Sequence, residues 1–424
     1  MAEFQIKAMQ QDTDSKGQLQ INVTSALGAK PISGAKIAIY YTGEPGRELE
    51  EVTTNESGQT EELELYAPPL EYSVEPSEQQ PYSEYTMEVT APGYEPVEVV
   101  GAEILPDVKA VQNIQMIPVQ EGREYERFII PAHTLFGDYP PKIAEAEIKP
   151  VNETGEIVLS RVVVPEYVIV HDGVPTDSSA ANYWVRYKDY IKNVASSEIY
   201  ATWSDAAIRA NILAIMSFTL NRVYTEWYRN KGYDFTITSS TAFDHKWING
   251  RNIFENISRI VDEMFGNYLS RPNVKQPILT QYCDGQRVTC PNWMSQWGSQ
   301  YLGEQGYSTI DILRNYYGNS IYINIAEEIS GVPYSWPGSD LSVGSRGQKV
   351  LQMQEQLNRI AQAYPAMPVI AQDGIFGPAT QESVRTFQSI FGLPATGVVD
   401  YPTWYKISEI YVGVSRIAEG APRW

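Results

Sequence analysis

Glu198 is the single acidic residue in the stretch VASSEIYATW, residues 194–203, and no Lys or Arg occurs from 193 to 208. A carboxyl surrounded by Val194, Ala195, Ile199 and Trp203 keeps its proton towards neutral pH, because apolar burial disfavours the anion. That is the property of a general acid. The next stretch, SDAAIRANILAIMSFTLNRVY, has apolar residues at helical spacing and predicts a helix over 204–229. Glu198 is then read at the mouth of this helix. The competing reading is structural: an acid at a helix entry stabilises the dipole by about 0.3–1 kcal/mol. Asp205 is the next carboxylate that could take the role.

Other reactive residue types are sparse. The chain has 2 cysteines and 3 histidines in 424 residues, too few for a disulfide framework or a His-rich metal centre. Cys283 and Cys290, in YCDGQRVTC, fit no common zinc spacing and have no His beside them. They are read as buried or loosely paired cysteines lining a groove. His171, in VIVHDG, reads as a polar residue at a strand end. No metal and no cofactor is expected. A net charge of −20 argues against nucleic acid, whose binding rests on Lys and Arg contacts to phosphate. It also argues against an anionic membrane surface, but not against a neutral or zwitterionic glycan. The 29 tyrosines and 9 tryptophans suit either sugar stacking or β-sandwich cores. The opening MAEFQIKAMQQDTDSKGQLQ has no apolar core of a secretory signal. No apolar run reaches the roughly 18 residues of a membrane span.

The elements that must position these residues fall into a multidomain order. Residues 1–120 alternate in the manner of short strands, as in GQLQINVTS and AKIAIYYTG, broken by turn clusters such as GAKPISGAK. They predict an N-terminal β-sandwich. Residues 121–155 mix charge, proline and short apolar runs and read as a connector, with VQEGREYER at 119–127 open to a protease. Residues 156–335 predict an α+β catalytic domain, with further helices at NIFENISRIVDEMFGNYL and TIDILRNYYG. Residues 338–415 predict a small all-α, three-helix domain built on GQKVLQMQEQLNRIAQAY and PATQESVRTFQSIFG.

Three resemblances follow from motifs in these segments. PISGAKIAIY, TTNESGQT and YTMEVTAPGYEPVEV, with the turn Gly93-Tyr94-Glu95-Pro96, resemble the transthyretin-like, carboxypeptidase-regulatory-like module, which is usually non-catalytic. The C-terminal run carries Gln354, Leu357 and Asn358, then Asp373, Gly374, Phe376, Gly377 and Thr380. Val384, Phe387 and Gln388 follow, ending in Thr396, Gly397, Val399, Asp400, Thr403 and Trp404. It looks like the peptidoglycan-binding domain 1 family. Most of these residues are read as holding the fold, and the domain as a single anchor on cell-wall glycan or its stem peptide.

The middle segment resembles the stage II sporulation protein D family. One block places Val194, Glu198, Ile199, Trp203, Asp205, Ala207, Ile208 and Ala210 on the family pattern, with Asn211 where Gln is usual. A second block supplies Met294, Ser295, Gln296, Trp297 and Gly298, then Gly306, Ile312, Leu313, Tyr316 and Tyr317. The resemblance implies a lytic transglycosylase with Glu198 catalytic. It places Trp203, Asn211, Arg222, Met294, Ser295, Gln296, Trp297 and Tyr317 at the substrate. Two departures stand out: Met216 replaces a family Arg, for which Arg222 is the nearest substitute, and the Gly-His-Gly before Met-Ser-Gln is absent. These departures motivate the alternative of a non-catalytic peptidoglycan-binding scaffold. A metal amidase or Cys peptidase is disfavoured by the thin His supply.

The order of the three units is similar to that of clostridial spore cortex-lytic enzymes of the SleC type. That similarity implies a precursor, an activating germination protease, peptidoglycan glycan strands as the partner, and a spore location reached without a classical signal peptide.

Overall fold

The computed structural model describes residues 15–26, 29–44, 46–120, 125–149 and 159–415. The first of these segments form two sheets. β1 (Lys16–Ser25), β2 (Lys36–Tyr41), β3 (Glu48–Thr53) and β4 (Leu63–Tyr66) are followed by a short helix, α1 (Glu71–Val74). β5 (Ser83–Thr90), β6 (Val97–Ile104), β7 (Lys109–Met116) and β8 (Glu126–Ile129) complete the module. One sheet has the order β3-β2-β5-β6-β8. In the other, β1 runs parallel to β7 from Gln18↔Lys109 to Ser25↔Met116 and antiparallel to β4. Alternation puts Leu19, Ile21 and Val23 of one sheet, and Ile37, Ile39, Met87, Val89 and Val99 of the other, into one buried apolar cluster.

The module is not closed on itself. Its β7 edge is completed by β13 (Ile253–Phe254) from the middle of the chain, through Ile253↔Val111 and Phe254↔Ala110. Beside this junction Arg251 donates to Glu103 Oε2 at 2.7 Å, with both residues buried. Glu103 N–H in turn donates to Asn252 Oδ1 at 3.0 Å. The expected connector is likewise no free linker. β8 pairs parallel with β6, and residues 131–149 run on without helix or strand, bonded along the middle domain. Of the protease-accessible stretch read at 119–127, residues 121–124 lie outside the described residues.

The middle domain opens with β9 (Val163–Val164), β10 (Tyr167–His171) and β11 (Asn182–Arg186), and α2 (Tyr187–Glu198) follows directly. α3 (Asp205–Tyr224) begins at the N-cap Ser204, whose hydroxyl accepts from Ala207 N–H. Nearly every α3 residue is buried, which makes it the central post of the domain. Around it lie β12 (Ile237–Thr238), α4 (Glu255–Met264), β14 (Asn267–Ser270), β15 (Tyr282–Cys283) and β16 (Met294–Ser295). α5 (Gln296–Glu304), α6 (Thr309–Tyr317), β17 (Tyr322–Ile325) and β18 (Glu328–Ile329) close the domain. α5 approaches α3 so closely that a Cβ on Gly303 would lie 2.1 Å from Ser204 Oγ.

The C-terminal unit holds α7 (Gln348–Ala361), α8 (Pro378–Ile390) and α9 (Tyr401–Ser415). Two motif glutamines act as turn clamps. Gln354 Oε1 accepts Gly374 N–H at 2.9 Å, and Gln388 Oε1 accepts Gly397 N–H at 2.8 Å. Both glycines have positive φ, +71° and +73°, which an L side chain would strain. Phe376, Val384, Phe387 and Trp404 are buried around them. Among the described residues no helix is long and apolar enough to cross a membrane.

Candidate active site around Glu198

Glu198 is not at the entry of α3. It is the last residue of α2, and residues 199–204 turn the chain before α3 begins. The sequence hid α2 because its final turns are small and polar, NVASSE, with no clear apolar stripe. The location reverses the dipole argument. A carboxylate at a helix C-terminus faces the negative end of the dipole, which disfavours its ionised form. The dipole-stabilising role considered from the sequence therefore does not apply.

The side chain is 2% exposed. Its Oε1 accepts the Lys246 backbone N–H at 2.6 Å, and Oε2 accepts the Tyr282 hydroxyl. Its backbone carbonyl accepts Gln296 Nε2 at 3.0 Å. Burial pushes the Glu198 carboxyl above its usual range, and the Lys142 charge, the Tyr282 hydroxyl and the Lys246 N–H only partly offset it. Burial also pushes the Lys142 ammonium below its ordinary value, against the pull of Glu198 and Asp244. The Tyr282 ring lies 5.9 Å from His245, nearly parallel at 9°. Burial keeps His245 neutral, and its Nδ1 is 3.0 Å from the Tyr190 hydroxyl.

Tyr282 reaches Glu198 through local covalent and strand geometry. β15 pairs parallel with β16, Tyr282 opposite Met294 and Cys283 opposite Ser295. The intervening loop is closed by a Cys283–Cys290 disulfide, so the two cysteines are bonded to each other. Ser295 then N-caps α5, its Oγ accepting Gly298 N–H at 2.9 Å. The second sequence block is thus the element that delivers both Gln296 and Tyr282 to Glu198.

The remaining residues expected at the substrate are dispersed. Trp203 is buried against the N-terminal module, its Nε1–H donating to the Ser73 carbonyl at 2.8 Å. Trp297 packs 5.1 Å from it. Asn211 ties α3 to α5 through Ser299 Oγ at 2.7 Å. Met294 is wholly buried, and the Tyr317 hydroxyl donates to the Gln281 carbonyl at 2.9 Å. Met216, at the position of the family Arg, is core. Arg222 is buried and spent on carboxylates: Nε on Asp244 at 2.7 Å, and Nη1 and Nη2 on Glu145 at 3.0 and 2.6 Å. Only Gln296 of this set is hydrogen-bonded to Glu198. Tyr282, Lys246 and Lys142 were missed. The one sequence signal was that Tyr282 adjoins the cysteine pair.

Little open space reaches the acid. A cavity of about 290 Å³ lies beside Arg222, Trp227 and Tyr228 instead. No cluster of three or more His, Cys, Asp or Glu side chains placed to hold a metal ion occurs among the described residues.

Comparison with known proteins adds the following. Residues 346–407 match the family described as "Putative peptidoglycan binding domain", so the chain carries a peptidoglycan-binding domain. A curated relative, the zinc D-Ala-D-Ala carboxypeptidase of Streptomyces albus G, is 44% identical over 78 residues, which is 18% of this chain and 29% of the relative. The chain therefore spans less than a third of that relative's length. Among solved structures, the SleB N-terminal domain matches at 26% identity over 18% of this chain and 99% of its own, with a TM-score of 0.16. A minor pilin of Streptococcus agalactiae matches at 16% identity over 27% of this chain and 49% of its own, with a TM-score of 0.18. At these scores neither structure bears on function.

Proposed function

We propose that the chain is a peptidoglycan lytic transglycosylase that cleaves the MurNAc–GlcNAc bond and leaves 1,6-anhydro-MurNAc ends. The observation that carries this reading is a buried carboxyl with a raised pKa at a helix C-terminus, held by two donors and lacking a full ion pair. Such a group keeps its proton where an ordinary glutamate loses it, as a general acid must. Glu198 gives this proton to the glycosidic oxygen as the C1–O bond breaks, releasing the GlcNAc hydroxyl. The 6-hydroxyl oxygen of the same MurNAc closes on C1, and the Glu198 carboxylate takes its proton. The acid is restored, no water is consumed, and one carboxyl serves both halves.

The wall-binding domain supplies affinity for the same polymer. The order of units supports a precursor of the spore cortex-lytic kind, acting in germination after trimming by a protease. A second reading, a wall-binding scaffold without chemistry, is favoured by the near-complete burial of Glu198. Mass spectrometry of peptidoglycan incubated with the chain separates them: anhydro-muramyl ends support the enzyme, and unchanged glycan supports the scaffold.

A further inference from the structure

The segment that closes over Glu198 is the stretch after β8. Thr134 N–H and Oγ1 both donate to the Ser197 carbonyl, at 3.2 and 3.0 Å, on one side of the acid. On the other side the Lys142 ammonium donates to the Asp244 carbonyl, and Ile143 N–H donates to the Ala242 carbonyl at 2.7 Å. Gln281 then clamps the segment with both ends of its amide: Oε1 accepts Glu145 N–H at 2.8 Å, and Nε2 donates to the Ile143 carbonyl at 2.7 Å. Residues 134–149 therefore lie as an extended strap beside the two groups that hold Glu198, Lys246 and Tyr282.

The floor beneath the strap is aromatic. Lys142 Nζ sits 4.6 Å from the Tyr282 ring centroid and 5.6 Å from that of Phe218, and Lys149 Nζ sits 4.2 Å from that of Trp227. Such ring faces take the C–H face of a sugar as readily as a lysine stem. The Ala242 carbonyl and the Gln281 amide, once released, match the donors and acceptors of N-acetyl groups.

Resting on the proposed reading of Glu198, we infer that residues 134–149 occupy the cleft for a β-1,4-linked N-acetylamino-sugar strand, so that the chain carries its own competitor. The strap also opposes the chemistry. The Lys142 charge favours ionised Glu198, and its departure lets the carboxyl keep its proton. The occluding element is thus the strap rather than the two-sheet module before it. That module is instead tied to the middle domain by β13 and the Glu103–Arg251 pair.

The test uses the full chain and chitohexaose, which lacks the MurNAc bond and so reports binding without turnover. Two variants loosen the strap: Lys142→Glu, which sets a carboxylate against the Asp244 carbonyl, and Glu145→Arg, which sets like charge against Arg222. Strap release is read by hydrogen exchange at the Ile143 and Glu145 amides, and affinity by calorimetry. Both variants are expected to speed that exchange and to tighten hexamer binding about tenfold or more, because a site closed most of the time loses affinity in proportion. Faster exchange with unchanged affinity overturns the inference. So does unchanged exchange in both variants, since Lys142 and Glu145 would then not hold the strap. Tighter hexamer binding without anhydro ends on peptidoglycan would leave the strap standing and remove the transglycosylase reading. Anhydro ends with no gain in hexamer affinity would do the reverse.

Discussion

The two ends of α2 handle buried charge in opposite ways. Near its start, Lys188 and Lys192 meet Asp262 of α4 at 3.0 and 2.8 Å. Lys188 also meets Glu409 of α9, at 2.5 Å, and Lys406 lies 3.2 Å from Glu409. Burial alone would raise Asp262, but the two lysines outweigh it and hold the carboxyl at about 2. At the other end of the same helix Glu198 is as deeply buried, and there burial wins. Burial does not distinguish the two carboxylates; the supply of adjacent cations does. The compensated end fastens the wall-binding unit to the middle domain. The under-compensated end carries the group suited to proton transfer, and its nearest ammonium, Lys142, comes from a strap that can be exchanged for substrate.

The largest expected effect breaks the second end alone. Glu198→Gln keeps the shape but can neither give nor take a proton. Formation of anhydro ends should fall by about 10²–10⁴-fold, while sedimentation with peptidoglycan is unchanged. Residual cleavage above a tenth of wild type would move the role to another carboxylate, with Asp205 next.

Breaking the first end should cost stability in place of chemistry. Asp262→Asn leaves Lys188 and Lys192 without their shared partner, and loss of one member of a buried pair costs about 3–5 kcal/mol. Denaturant unfolding reads it directly. Deleting residues 338–424 removes Glu409 and Lys406 together. The expected loss is smaller but extends to cleavage of short soluble glycans, where a merely tethered anchor would spare them.

The pH dependences should run in opposite directions. Asp262 titrates lower folded than unfolded, so its stabilisation is present above about 3.8 and is lost as pH falls towards about 2. In Asp262→Asn the thermal midpoint should lack this acid limb. Glu198 titrates higher folded than unfolded, so its stabilising contribution is present below 4.5 and disappears as pH rises through the folded value. Cleavage should fall on that same alkaline side.

The smallest effect sharpens the Glu198 end. Tyr282→Phe removes a donor to the carboxylate, and a hydrogen bond to a charged group is worth about 1.5–3 kcal/mol. The alkaline limb of the cleavage profile should move up by about a pH unit, with little change in wall binding. A limb that stays in place would mean that Tyr282 does not tune the acid.

What the sequence revealed follows the range of the interactions. α3 was legible because its apolar spacing is local, and the C-terminal unit because Gln354, Gly374, Gln388 and Gly397 form a turn code within one short segment. Glu198 stood out by what its neighbours lacked. Its partners did not, because Tyr282 lies 84 residues away and the Lys246 amide 48. A backbone N–H also leaves no mark in residue type. The role of Arg222 was misjudged for the same reason: helix spacing shows which face it is on, whereas Glu145 and Asp244, which consume it, come from the strap and a distant loop. The sharing of β13 with the N-terminal sheet was equally hidden, since Ile253 and Phe254 look like any helix approach.

The most direct test of the central claim is the chemical identity of the new glycan ends. Peptidoglycan is treated with the full chain, with the strap variant Lys142→Glu as its most active form, and with Glu198→Gln, and the muropeptides are resolved by mass spectrometry. The account predicts 1,6-anhydro-MurNAc ends from the first two, most from the strap variant, and none from Glu198→Gln. Reducing ends formed by water, or anhydro ends that persist in Glu198→Gln, would contradict it.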